Sequence, residues 1–339
     1  MNYNNVPIDW KEVDKLISKS DSIALTTHEN PDGDGLGSEM GFYYHLMDIG
    51  KDVRIINYSP IPEDYNFLNR EKIFEQYDSN AHGSWLLDVD LIIIFDVGDF
   101  KRTGDLKDFI IEHNLVTLNI DHHPHPDSNL FHHNIVDLNA AATGCMVYDY
   151  LIEVRGEPLT KNICDGIYTA VMTDTGCFRY SNTDEKCYDI AIESLKKGVK
   201  THKIYQYVYE NSSSERMNLL GLVLSKINYE IDGVFAWFEV TKKMMKDAKA
   251  RAKDVDGFSD MVRSIKGVEI SMMIMETDIN SCRINFRSKG KFIVNDLANY
   301  LGGGGHAYAA GAKVKKNILS FKKDFLNEIR ELIIKKVEI

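Results

Sequence analysis

The sequence predicts an α/β protein in three parts. A parallel-sheet, Rossmann-like domain is expected over residues 1–185, a helical linker over 186–230, and a smaller mixed-sheet domain over 231–339. Three observations carry this prediction. Short apolar runs alternate with helical segments through the first half, as βαβ units feeding a parallel sheet do. Leu91-Ile-Ile-Ile-Phe95 is continuously apolar, as a strand covered on both faces should be. Beyond residue 230 the pattern changes to strands with short connections, which predicts a mixed sheet with helices on one face.

In chain order, residues 10–18 form a first helix with Leu16 and Ile17 facing inward. Residues 22–27 are an apolar strand, and the segment His28-Glu-Asn-Pro-Asp-Gly-Asp-Gly-Leu-Gly-Ser38 turns from it into a helix. Leu36, Met40, Tyr43, Tyr44 and Met47 recur at helical spacing, and Gly50 is the expected cap. Residues 53–57 are a second strand. Leu91–Phe95 ends directly in Asp96, followed by Val-Gly-Asp99, and the strand 116–120 ends directly in Asp121-His122-His123. Two helices follow. Residues 145–154 turn Met146, Val147, Tyr150 and Leu151 inward, and residues 161–173 carry Ile163, Ile167, Ala170 and Val171 on one face. The second helix runs into Asp174-Thr-Gly-Cys-Phe178. The segment 184–230 has no proline and reads as a pair of helices. Residues 234–240, 270–275 and 282–286 are strands, with a Lys-rich helix after the first. A short helix over 295–301, a loop of four glycines before His306, and an amphipathic helix over 318–337 complete the chain.

Bulk composition bounds the function. The chain has 339 residues, 44% of them apolar, and a formal net charge of −11. An acidic protein has no broad basic face for long duplex nucleic acid. Cys145, Cys164, Cys177, Cys187 and Cys282 are odd in number and contain no Cys-x-x-Cys, so they read as reduced thiols of a cytoplasmic protein. The N-terminus lacks a signal pattern, and no apolar run approaches the roughly 18 residues of a membrane span.

Three predicted strands end in acid or imidazole clusters. In a parallel sheet those ends share one edge, where ligands bind, so the clusters should converge. His125, His132 and His133 read instead as surface turn residues. One metal site can be built from His28, Asp32 and Asp96. A second can be built from Asp34, His122 and Asp174, with Asp96 bridging. Mixed imidazole and carboxylate ligation suits Mn2+ best, with Mg2+ or Co2+ as substitutes. Two such ions about 3.5–4 Å apart clamp the attacking and leaving oxygens of a phosphoryl displacement. His123 is left to contact a non-bridging phosphate oxygen, where charge develops. Asp121 reads as the group that orients a histidine. The second half carries another signal. Between residues 279 and 316, seven Lys or Arg face one acid, Asp296. Arg287, Ser288 and Lys289, with Gly302, Gly303, Gly304, Gly305 and His306, form a candidate phosphate- or nucleotide-binding patch.

Together these motifs resemble the DHH phosphoesterase superfamily, whose triplet is Asp121-His122-His123, and most closely its nanoRNase branch. The resemblance spans nearly the whole chain. It rests on His28-x-x-x-Asp32-Gly-Asp34, Phe95-Asp96, Asp121-His-His-Pro124, Thr173-Asp174-Thr-Gly176 with Phe178-Arg-Tyr-Ser-Asn-Thr183, and Arg287-Ser-Lys289 with Gly302 to His306. Val97 and Asp99 stand where small polar residues are common in the family. The resemblance implies a DHH domain, a helical linker and a smaller DHH-associated domain. It implies two Mn2+ ions on His28, Asp32, Asp34, Asp96, His122 and Asp174, with His123 on phosphate. It also implies hydrolysis of short oligoribonucleotides to mononucleotides and of adenosine 3',5'-bisphosphate (pAp) to AMP. Short oligonucleotides and nucleotides are the expected partners, without long duplex or membrane, and a homodimer through the first domain is compatible with it. Two alternatives stand beside this reading. One is a phosphodiesterase of cyclic di-AMP or pApA, and the other a catalytically silent nucleic-acid-binding member. The manganese inorganic pyrophosphatases share the first domain's ligands but lack the glycine-histidine loop.

Overall fold

The computed structural model describes residues 8–124 and 130–337, so His125 lies outside the described residues. The chain separates into two compact units, Met1–Asn211 and Ser212–Ile339.

The first unit is built on a six-stranded sheet of β1 (Ser22–Thr26), β2 (Asp52–Asn57), β3 (Phe74–Gln76), β4 (Leu91–Phe95), β5 (Thr117–Asp121) and β6 (His133–Val136). Its order is β3-β2-β1-β4-β5-β6, and every pairing is parallel. The chain reverses direction across the sheet between β1 and β4. That switch point opens a crevice at the carboxyl ends of the two strands. Its helices are α1 (Trp10–Ser18), α2 (Gly33–Asp48), α3 (Ser79–Leu87), α4 (Asp105–Glu112), α5 (Thr143–Val154), α6 (Lys161–Asp174), α7 (Glu185–Lys196) and α8 (Thr201–Tyr209). The alternation of β4 explains its unbroken apolar sequence. Leu91, Ile93 and Phe95 enter the core shared with α1, α2, α5 and α6. Ile92 and Ile94 enter the opposite core, with Leu86 of α3 and Leu106 and Ile110 of α4. Each such side chain contributes about 1.5–3 kcal/mol on burial.

Some expectations are corrected. Of the apolar set at helical spacing on α2, Met47 is 49% exposed. The 16 residues of α2 span about 24 Å and outrun the five-residue strands beneath them. Strands β3 and β6 were not anticipated, being short and polar and held only by the neighbour beside them. His133 lies on β6 rather than in a turn, whereas His132 is exposed at the bend before it, as expected, with its Nδ1 3.1 Å from the Thr117 hydroxyl.

The second unit has the sheet order β11-β12-β10-β9-β8-β7. Its strands are β7 (Asn228–Glu230), β8 (Phe235–Val240), β9 (Ile270–Asp278), β10 (Ser281–Ser288), β11 (Gly304–His306) and β12 (Ala309–Val314). Only β8 and β9 pair in parallel, so the sheet is mixed as expected. Its helices are α9 (Ser214–Leu224), α10 (Lys242–Ala248), α11 (Phe258–Arg263), α12 (Asn295–Tyr300), α13 (Ile318–Phe321) and α14 (Asn327–Val337). They cover both faces, not one. Helices α9, α10 and α11 pack on Phe238 and Met273. Helices α12, α13 and α14 pack on Ile284 and Phe286.

The segment read as a pair of linker helices holds three helices, α7, α8 and α9, and then β7. Cys187, Ile190 and Ile204 of α7 and α8 bury in the first unit, and Leu219, Leu220 and Val223 of α9 bury in the second. The closing helix is interrupted by a π-helical turn over Lys322–Leu326. The glycine loop is half strand: Gly304 to His306 pair with β12, and a Cβ on Gly303 would lie 2.1 Å from the Gly311 carbonyl oxygen. Glycine is required there for two backbones to meet. Among the described residues no helix is long and apolar enough to cross a membrane.

Candidate active site

The predicted cluster assembles at the carboxyl edge of the first sheet. Asp32 caps α2, its Oδ1 accepting from the Asp34 amide at 3.0 Å and the Gly35 amide at 3.3 Å. Asp34 is buried and accepts from the Thr143 amide at 2.7 Å and the Gly144 amide at 2.9 Å. These are the first amides of α5, so its carboxylate rests on a helix N-terminus. Sequence reasoning did not find this support; its signal is the small-residue run Ala140-Ala-Ala-Thr-Gly144 opening a helical pattern. Helices α2 and α6 touch backbone to backbone. A Cβ on Gly37 would lie 2.4 Å from the Gly166 carbonyl oxygen, and one on Gly166 would lie 2.6 Å from that of Gly37. This approach sets Asp174, the last residue of α6, beside the first turn of α2.

On β4, Asp96 follows the last strand residue with a left-handed φ of 53°, a strained conformation outside glycine, asparagine and aspartate. The turn is held from β5. Asp121 is fully buried, and its Oδ2 accepts from the Val97 amide at 2.8 Å and the Gly98 amide at 2.7 Å. Its Oδ1 accepts from the His123 amide at 3.0 Å and engages His123 Nδ1 at 2.9 Å. Asp121 therefore fixes both the Asp96 turn and the His123 ring.

His28 Nε2 lies 3.6 Å from Asp32 Oδ2 and 3.7 Å from Asp96 Oδ2. His122 Nε2 lies 3.7 Å from Asp34 Oδ2, 3.6 Å from Asp96 Oδ1 and 3.6 Å from Asp174 Oδ2. These distances exceed hydrogen bonds. The other ring nitrogens are occupied, His28 Nδ1 by the Glu29 carbonyl at 2.8 Å and His122 Nδ1 by the Ala140 carbonyl at 3.1 Å. Such carbonyl contacts select the tautomer that turns an Nε2 lone pair toward the carboxylates. His122 Nε2 and Asp96 Oδ1 are buried without a hydrogen-bond partner. Ligand atoms of His28, Asp32 and Asp96, and those of Asp34, His122 and Asp174, lie within 4.8 Å of one another in each set, as do those of Asp96, His122 and His123. Buried, unpartnered imidazole nitrogen and carboxylate oxygen atoms at this spacing fit a divalent cation.

The electrostatics agree with that fit. Burial pulls the His122 imidazole down, but Asp96, Asp34 and Asp174 outweigh it and push it up to about 9. Burial, with Asp96 and Asp32, raises Asp174 to about 6 against the pull of His122. Asp34 is raised well above the usual range by burial and by Asp96 and Asp174. Burial also opposes the charge on His123, yet Asp121 and Asp96 push it up to about 11. The pocket holds protons where a cation would neutralise it instead.

The second group of predicted residues lies in the other unit. Arg287 Nε is 3.4 Å from Asp260 Oδ2, and Lys289 Nζ donates to the Ile265 carbonyl at 2.9 Å. Ser288 is buried and accepts from the Gly290 amide at 3.2 Å. The basic surplus is smaller than the sequence count implies, because Asp256 faces Arg283, Asp260 faces Arg287 and Asp324 faces Lys316 from outside the counted window.

A parallel α/β unit thus carries an acid and imidazole cluster at its switch point and is followed by a mixed-sheet unit. Residues 22–171 match the DHH family N-terminal domain and residues 235–337 match the DHHA1 domain. The chain is 31% identical to the bifunctional oligoribonuclease and PAP phosphatase NrnA of Thermus thermophilus, covering 86% of this chain and 84% of that protein. It is 25% identical to the protein of the same description from Bacillus subtilis, covering 89% and 92%. An exopolyphosphatase-related protein from Bacteroides fragilis superposes with a TM-score of 0.89 at 29% identity, covering 95% of each chain. The chain belongs to the DHH family, in its NrnA-like branch, and is a phosphoesterase hydrolase.

Proposed function

We propose that this chain hydrolyses short oligoribonucleotides to mononucleotides and pAp to AMP, using two Mn2+ ions. In this reading His28, Asp32 and Asp96 hold one ion, and Asp34, His122 and Asp174 the other, with Asp96 shared. When bound, the ions supply charge neutralisation at the phosphate and a more acidic water. The chain's own residues do the rest. The Glu29 and Ala140 carbonyls hold the His28 and His122 rings in one tautomer. The α5 amides keep Asp34 aimed. Asp121 keeps His123 charged, and the imidazolium contacts a non-bridging oxygen on which charge develops. Residues 231–339 are the proposed substrate-binding part, through Arg287, Ser288, Lys289 and the segment Gly302 to His306.

The observation that carries the reading is the His122 Nε2 atom, buried, unbonded and 3.6–3.7 Å from three carboxylates. The relatives described as bifunctional oligoribonuclease and PAP phosphatase support the substrate class. Six intact acid and imidazole positions argue against a silent member. The test is a panel of pAp, pApA, cyclic di-AMP and RNA of graded length, with Mn2+ and with chelator. Mn2+-dependent turnover of pAp and short RNA is expected. Preference for cyclic di-AMP, or turnover unaffected by chelator, overturns the reading.

A further inference from the structure

We infer that Glu39 is a positioning residue of this active site, whose buried side chain anchors, through Asn57, the two chain ends that carry His28 and Asp96. Glu39 lies on α2, five residues after Asp34, and is fully buried. Its Oε2 accepts from Asn57 Nδ2 at 2.9 Å, and its Oε1 has no hydrogen-bond partner. Asn57, the last residue of β2, is itself buried. Its Oδ1 accepts from the Thr27 amide at 3.0 Å and the Thr26 hydroxyl at 3.2 Å. The Thr27 hydroxyl donates to the Phe95 carbonyl at 2.8 Å. Thr27 precedes His28, and Phe95 precedes Asp96. One unbroken network thus ties α2, which carries Asp32 and Asp34, to the ends of β2, β1 and β4.

A leucine at position 39 would pack as Leu36, Phe42 and Leu46 of the same helix do, without the cost of burying a polar group. What the glutamate adds is the acceptor for Asn57. Asn57 in turn takes the Thr27 amide, which lies beyond the last residue of β1. Without Glu39 the Asn57 amide is a buried donor lacking its partner, and the turn before His28 loses its anchor.

Among the described residues no cation meets Glu39. Neither β1 nor β4 carries a charged residue within its strand. On β2, Arg54 pairs with Glu75, and Asp52 accepts from Trp85. On α6, Lys161 pairs with Asp165, and Asp174 faces His122. On α5, Asp149 pairs with Lys186, and Glu153 is exposed. On α2 itself Asp48 meets Arg155, and on the 3-10 segment and the residues after it Asp64 accepts from Asn211 and Glu71 from Tyr44. Burial accordingly pushes Glu39 up to about 8, with Asn57 opposing, so the side chain is a neutral acid at pH 7. Above that value a carboxylate with one orphaned oxygen sits beneath the site.

The inference rests on the metal-site reading, and the experiment separates the two. Glu39→Gln retains an acceptor for Asn57 and stays uncharged, whereas Glu39→Leu removes the acceptor. Calorimetric Mn2+ titration of Glu39→Gln should match the wild type at pH 7 within about twofold. Glu39→Leu should bind Mn2+ about ten- to a hundredfold more weakly, the size of an outer-sphere effect. KM for an oligonucleotide should stay the same. As pH rises through about 8 the metal-free wild type should lose more thermal stability than Glu39→Gln, because His122 titrates in both and Glu39 only in the wild type. Wild-type Mn2+ affinity in Glu39→Leu, or Glu39→Gln as impaired as Glu39→Leu, overturns the role of Glu39. If Glu39→Leu does not fold, an identical pH dependence of metal-free stability in Glu39→Gln and wild type overturns it. If the wild type itself binds no Mn2+, the metal-site reading fails first.

Discussion

Asp121→Asn separates the support of this site from its ligands. Among the described residues Asp121 takes donors from Val97 and Gly98 and two from His123. An asparagine keeps one accepting oxygen and turns the other position into a donor. If the oxygen faces Val97 and Gly98, the amide nitrogen meets the His123 amide, and one buried N–H is stranded at about 1–3 kcal/mol. The reverse orientation strands two and costs about twice as much, so the first is favoured. Loss of charge assistance in the remaining bonds adds about 1 kcal/mol. The total is about 2–4 kcal/mol, or about 4–16 °C in the melting of a unit this size. His123 loses one of the two carboxylates, Asp121 and Asp96, that hold it charged, so kcat should fall about ten- to a hundredfold. Mn2+ stoichiometry should hold, because no candidate ligand set includes Asp121. Calorimetry, elemental analysis and a pH–rate profile read the three effects. A variant with wild-type melting and an unchanged profile would refute the clamp; one that loses metal would make Asp121 a ligand.

Asp96→Ala removes the carboxylate placed between both histidines, and elemental analysis should find both ions and all turnover lost; near-complete metal content would sink the shared assignment. His123→Ala should keep both ions yet lose about a hundredfold or more in kcat, the size of one transition-state donor. Arg287→Ala should raise KM for di- to pentanucleotides and leave a small generic diester nearly unchanged, as that substrate has no group for Arg287 to bind. Equal slowing of both would remove Arg287 from the substrate site. Without metal, Asp174 binds its proton up to about 6 and His122 up to about 9. Both values are raised, so their stability is complete below the unfolded values, near 3.9 for Asp and 6.5 for His. It is lost as pH rises through the folded values. Mn2+ replaces those protons, so its gain in melting temperature should be larger at pH 8 than at pH 5.5 in thermal scans, and an equal gain would contradict this.

Features written within a few residues follow from local chemistry alone. Leu91–Phe95 had to be a doubly covered strand because its five positions are all apolar. Asp96 and Asp121 had to lie at one edge because each directly follows or ends a parallel strand. The capping role of Asp32 is likewise local, resting on amides two and three residues away. Meetings between distant segments depend instead on packing. Asp174 reaches Asp34 because Gly37 and Gly166 let two helices touch, and no periodicity encodes that partner. The α5 amides reach Asp34 across 109 and 110 residues. Asp256 and Asp260 offset arginines that a local charge count leaves unpaired. Strands β3, β6 and β11 are too short to bear a pattern of their own, and they exist because a neighbouring strand offers its edge. Local chemistry selects the element and the residue at its end; packing selects which ends meet.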